Sequence, residues 1–247
     1  MTSPLASQLD QVPRRTRAVA VWAVALHLSA LAALAAAGFQ MRAVKGRPLP
    51  LADQRAVYVA DIACFVSGHL VLFLSLAGLV FLSRWTRAAY ASAAALGAQG
   101  LTMSASRAAW SYALPVVQPF LSWRALSALD RALLATHASR STPRAASDAS
   151  GHYRDNAAEP RLDAQRIPSP PIAKAWALWA LGQAGSVAVS VTRHEAVTTR
   201  ALVRSLWFDA ASLLAIAVST LLLYEVISTI SARIQDIHDL RREEASP

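Results

Sequence analysis

The chain has 247 residues, 55% of them hydrophobic and 16% charged, and a formal net charge of +9. A mean hydropathy of +0.34 and an apolar share above the roughly 45–50% of soluble domains exclude an ordinary water-soluble globule. The single Cys64 excludes an internal disulfide and a cysteine-based metal cluster.

The tail, residues 1–17, carries Arg14, Arg15 and Arg17 just before the first apolar stretch, Ala18 to Phe39. Basic residues, an apolar run and Ala35-Ala36-Ala37-Gly38 are also the parts of a secretory signal, but an h-region is only about 7–15 residues long. This run continues unbroken, so a retained span is expected. The second stretch, Ala56 to Leu82, closes a first helix pair over residues 18–87, ending in Arg84-Trp85-Thr86-Arg87. Each run reaches the roughly 20 residues a helix needs to cross about 30 Å of hydrocarbon.

Residues 88–138 are semi-apolar. Pro115 and Pro119 break any continuous helix there. Beyond them Trp123, Leu126, Leu129 and Leu133 recur at helical spacing, with Arg124 and Arg131 on the polar face. That pattern predicts an amphipathic helix, lying either in the cytoplasmic membrane interface with its arginines toward headgroups or across the inner ends of the bundle. Residues 139–171 change to Ser, Pro, Arg, Asp and Ala, the composition of a disordered linker.

The third and fourth stretches, Ile172 to Val191 and Trp207 to Ile230, form a second pair over residues 172–230, and residues 231–247 are a polar tail. The expected fold is therefore all-α: a polytopic membrane protein with four transmembrane helices and a cytoplasmic interfacial amphipathic helix. More arginines flank the spans on the side of the termini and linker than on the other, so the positive-inside rule places both termini in the cytoplasm and the protein in the plasma membrane. Trp22, Trp85, Trp176 and Trp179 fall near the inner boundary and Tyr58 and Trp207 near the outer one, as an aromatic belt would. The dispersed arginines Arg84, Arg87, Arg124 and Arg131 suit anionic headgroups better than a nucleic acid. The expected partners are thus the lipid bilayer and either a second copy or another membrane protein, and no nucleic acid.

Ionisable groups inside spans are candidate sites. His27 and His69 fall near the middle of the first two stretches, and Glu225 near the end of the fourth. Each histidine reads either as a neutral side chain bonded to a nearby Ser or carbonyl, or as part of a proton or ligand path. Gly182, Ser186 and Ser190 on the third stretch, and Ser29, Ala33 and Ala37 on the first, have the four-residue spacing of close helix packing. There is no phosphate-binding glycine loop or Gly-x-Ser-x-Gly elbow, and His194-Glu195 lacks a second histidine. The expectation is a non-enzymatic protein without cofactor or metal; the alternative is a small transporter or channel subunit.

The run Phe81-Leu82-Ser83-Arg84-Trp85-Thr86-Arg87-Ala88, then Leu96 to Leu101, Trp110, Leu114-Pro115-Val116-Val117-Gln118 and Trp123-Arg124-Ala125-Leu126, resembles the central signature of bacterial domain-of-unknown-function family 4328. The chain departs from that pattern at Tyr90-Ala91 and at Ser122-Trp123. The resemblance implies a small multi-span bacterial membrane protein and supplies no catalytic residues.

Overall fold

The computed structural model describes residues 11–45, 51–113, 118–149, 170–194 and 199–244. In chain order these form α1 (Gln11–Lys45), α2 (Leu51–Ala95), α3 (Ala105–Trp110), α4 (Gln118–Ala149), α5 (Ile172–His194) and α6 (Thr199–Glu244). Among the described residues there is no strand. Three helices contain segments long and apolar enough to cross a membrane: Gln11–Arg42, Asp61–Ala95 and Arg204–Glu244. The sequence predicts a fourth in α5, which is helical over 23 residues but is not among these three, its apolar character diluted by Lys174, Gln183 and small residues.

The chain forms two compact units, and α1, α2 and α6 contribute residues to both. The second unit, Ala18–Val80 with Ala173–Tyr224, is held together by close helix approach. Trp22 Nε1 donates to the Leu74 carbonyl at 2.6 Å, and Gln40 Nε2 donates to Asp61 Oδ1. These two contacts fix the antiparallel register of α1 on α2. Ser29, Ala33 and Ala37 are buried, and Met41 packs with Leu206 and Ala210 of α6. Gly182 and Gly185 let α5 lie directly on α6, because an added Cβ would stand 2.6 Å from Ile216 Cγ1 or 2.1 Å from Ser212 Oγ. Small residues thus serve packing inside the bundle.

The outer surface of this unit is apolar. Only 28% of the apolar window of α2 is buried, and Ile62, Phe65, Leu70, Phe73, Leu76 and Val80 stand exposed along it, with Val21, Val24, Leu28 and Leu31 on α1. Far less apolar surface is tolerated on a water-soluble monomer.

The first unit gathers Met1–Arg17, Phe81–Ile172 and Glu225–Pro247, and its core has a different character. Trp85, Tyr90, Leu96, Tyr112, Leu126, Leu129 and Leu133 are fully buried, each such side chain contributing about 1.5–3 kcal/mol when taken from water. The second apolar helix does not end near Arg87, as the sequence suggests, but continues to Ala95. It stops in a Schellman turn: Ala98 N–H bonds to the Ala93 carbonyl and Gly97 N–H to the Ala94 carbonyl, at 2.9 and 3.0 Å. Gly97 has φ +83°, a conformation that costs glycine nothing. Two arginines complete the cap. Arg241 donates to the Ala95 carbonyl at 2.8 Å and Arg140 to the Leu96 carbonyl at 2.9 Å.

The linker expected from Ser139 begins instead inside α4, which runs on to Ala149; residues 150–169 lie outside the described residues. Pro119 sits in the first turn of α4, where a missing N–H costs nothing. The Leu126, Leu129 and Leu133 face is buried within the protein, so α4 does not offer that face to lipid. Trp22, Trp85 and Trp176 are buried too; they pack cores instead of forming an inner belt. Tyr58 and Trp207 are exposed.

Candidate functional site

The polar chemistry of the first unit is concentrated where α1, α2, α4 and α6 supply side chains to it. Asp130 falls on the apolar stripe of α4, between Leu126 and Leu133. Arg233 falls on that of α6, between Ile230 and Ile237. Both are buried, and the Arg233 guanidinium donates to Asp130 Oδ1. Burial pushes the Asp130 carboxyl above its usual range, and the charge of Arg233 pulls the other way but less strongly.

A second cluster joins residues far apart in the sequence. Thr16 Oγ1 and Ser231 Oγ are 2.8 Å apart, and the buried Trp85 indole N–H reaches each at 3.2 Å. Thr86 Oγ1 donates to the Tyr112 hydroxyl at 3.0 Å, and burial raises the Tyr112 phenol, which keeps it protonated. The Tyr90 hydroxyl donates to the Ala125 carbonyl at 2.7 Å. Such bonds fix α4 on α2 with little freedom.

Beside the Thr16–Ser231 pair, α1 and α6 border a groove of about 460 Å³. Its floor includes the buried Val12 and Ile234, and Thr16, Arg17, Gln235 and Arg242 add polar groups. His238 Nδ1 lies 3.3 Å from Asp239 Oδ1 there. Thr16, Ser231 and Gln235 offer hydrogen bonds to this groove, and Arg17, Asp239 and Arg242 offer charge. No protein-family model, curated protein or solved structure matches this chain.

The sequence-predicted intramembrane residues divide between the units, His27 and His69 in the second and Glu225 in the first. His27 is half-buried on α1, with its Nδ1 enclosed and without a hydrogen-bond partner. His69 is exposed on α2; its Nδ1 lies 2.8 Å from the Phe65 carbonyl and its ring stacks on Phe65 at 4.1 Å. The α1–α2 register places the two histidines within about one helical turn of the same level, but on surfaces of different exposure. Glu225 is exposed and belongs to the first unit. No group of three His, Cys, Asp or Glu suited to a metal ion occurs among the described residues.

Of the expected interfacial arginines, Arg84, Arg87, Arg124 and Arg131 are all exposed. The Arg84 carbonyl accepts from Arg15, and Arg131 Nε donates to the Ser127 carbonyl at 3.1 Å. Arg15 lies within Coulombic reach of Arg84 and Arg87, so three guanidinium groups share one neighbourhood. Sequence reasoning missed Asp130 and Arg233, although opposite charges on two apolar stripes are a readable signal of a buried pair. It also missed Arg140 and Arg241, whose role as caps depends on long-range packing.

Proposed function

We propose that the chain is a four-span integral protein of the plasma membrane, with α5 as the fourth span and both termini cytoplasmic, acting without catalysis through contacts with lipid, other helices or a protein partner. The observation that supports it is the exposed apolar surface of the second unit, running along Phe65, Phe73 and Val80 of α2 and Val21, Val24 and Leu28 of α1. Hydrocarbon covers such a surface at no cost in hydration. A rise of about 1.5 Å per residue gives α5 roughly 35 Å, enough for a bilayer core. Membership of family 4328 is part of the proposal, supported by the ordered motifs from Arg84 to Trp123. The test is extraction of the full chain from membranes at alkaline pH: retention in the pellet agrees, and release into the supernatant contradicts.

A second reading, a small transporter or channel subunit, is favoured by one observation. His27 Nδ1, Ser75 Oγ and Ser219 Oγ are enclosed without hydrogen-bond partners. All three belong to the second unit. Cysteine accessibility scanned along α2 and α6 in a Cys64→Ser background would reveal a wet stripe around Ser75 and Ser219 under that reading, and uniform protection otherwise.

A further inference from the structure

In the first unit most large apolar side chains are buried, which makes the exposed ones informative. Among its described residues those exposed are Phe81, Trp110, Phe120 and Trp123, with Trp110 at 72% and Phe120 at 71%. They are gathered by specific bonds. Ser83 Oγ donates to the Ala109 carbonyl at 3.0 Å and Thr86 to Tyr112 at 3.0 Å, which pins the end of α3 to α2. Ser111 Oγ and Ser122 Oγ, 3.2 Å apart, then bring the first turns of α4 beside the end of α3. Ala109, the neighbour of Trp110, is therefore held against Ser83, one residue past Leu82, where the apolar run Ala56 to Leu82 gives way to Arg84 and Arg87. Phe81 stands at the same level.

That level is where a membrane-spanning helix leaves hydrocarbon. Arg84, Arg87, Arg107 and Arg124 are exposed around these aromatics, a cationic setting for anionic headgroups. Tryptophan and phenylalanine with flanking arginine are the side chains that settle at the boundary between headgroups and acyl chains. Of the tryptophans that the sequence offers for this belt, Trp22, Trp85 and Trp176 are buried and Trp179 is half-buried.

We infer that Trp110, Phe120 and Trp123 form a lipid-contacting edge on the α3–α4 corner, seated in the headgroup layer of the bilayer. The contact is made by this aromatic edge, whereas the leucine face of α4 is occupied by the protein's own core. The inference rests on the membrane reading above.

The test is nitroxide labelling of the full chain in liposomes of phosphatidylcholine and phosphatidylglycerol. Single cysteines replace Trp110, Phe120, Trp123, Arg131 or Phe73 in a Cys64→Ser background, and collision with oxygen is compared with collision with a water-soluble nickel chelate. The expected result is an oxygen-to-nickel ratio several-fold higher at 110, 120 and 123 than at 131, and higher still at 73. Ratios at the three positions equal to that at 131 overturn the inference, and so does low collision with both reagents, which means that this chain or a second copy of it covers the edge. An aqueous ratio at 73 overturns the membrane reading itself. A lipid ratio at 73 with aqueous ratios at 110, 120 and 123 overturns the inference alone.

Discussion

Asp130 and Arg233 each occupy a position that a leucine or isoleucine would fill without electrostatic cost, and each is tolerable only because the other is there. Removing one partner leaves a buried charge. Arg233→Met is expected to lose about 3–5 kcal/mol at neutral pH. With the opposing charge gone, burial alone sets the Asp130 carboxyl, so its folded pKa lies above the unfolded value of about 3.9. Between those two values the unfolded chain binds fewer protons, and stability falls as pH rises. Thermal melts of Arg233→Met in detergent should therefore improve on acidification more steeply than those of the native chain. The double variant Asp130→Asn, Arg233→Met should recover most of the loss and flatten the profile. His69 is a contrasting case. Its acceptor, the Phe65 carbonyl, already lies within α2, so His69→Leu orphans no group and should shift stability by under about 1 kcal/mol. A larger loss would show that His69 has a partner beyond its own helix.

Helix ends and helix crossings carry the specificity of the elements. Gly97→Val forces a β-branched residue to φ +83° and should cost about 1–3 kcal/mol, read as a lower melting temperature. Gly182→Leu should cost about 1–3 kcal/mol by overpacking, since even a Cβ meets Ile216 and the Ser212 carbonyl, at 2.6 and 3.0 Å; a neutral result would mean that α5 does not rest on α6 there. Much at this scale was legible. Unbroken apolar runs gave the long helices, and Leu126, Leu129 and Leu133 gave the apolar face of α4. What occupies that face was not legible, because periodicity reports that a stripe is buried and not by what. The span of α2 was under-read for a related reason: Arg84 and Arg87 signal exit from hydrocarbon, but a helix can leave lipid without ending. Residues Ser139 to Ala149 were taken for linker by composition, although Arg140 reaches back to cap α2.

For the whole molecule, the distribution of arginines supports a topology that reporter fusions can check. Fusions within residues 150–169 and at the C-terminus should read cytoplasmic and one after Arg47 external; an external reading at 150–169 would invert the model. The candidate site was only partly legible at this scale. His27, His69 and Glu225 were picked for their rarity in apolar sequence, yet Glu225 belongs to one unit and the histidines to the other. The groove and its polar surroundings draw on residues more than 200 positions apart, such as Thr16 and Ser231, a pairing that no local pattern encodes.

The three-part make-up of the first unit also imposes an order of events in time. Asp130 and the Ala95 carbonyl are synthesised well before Arg233 and Arg241, which satisfy them. Until residues 225–244 emerge from the ribosome, the Asp130 carboxylate and the Ala95 carbonyl await their partners, and the half-built core is exposed to proteases and chaperones. A chain stopped after Tyr224 keeps every segment of the second unit. It should enter the membrane normally yet be cut readily within residues 81–149, and co-expression of the missing C-terminal segment as a separate peptide should restore protection.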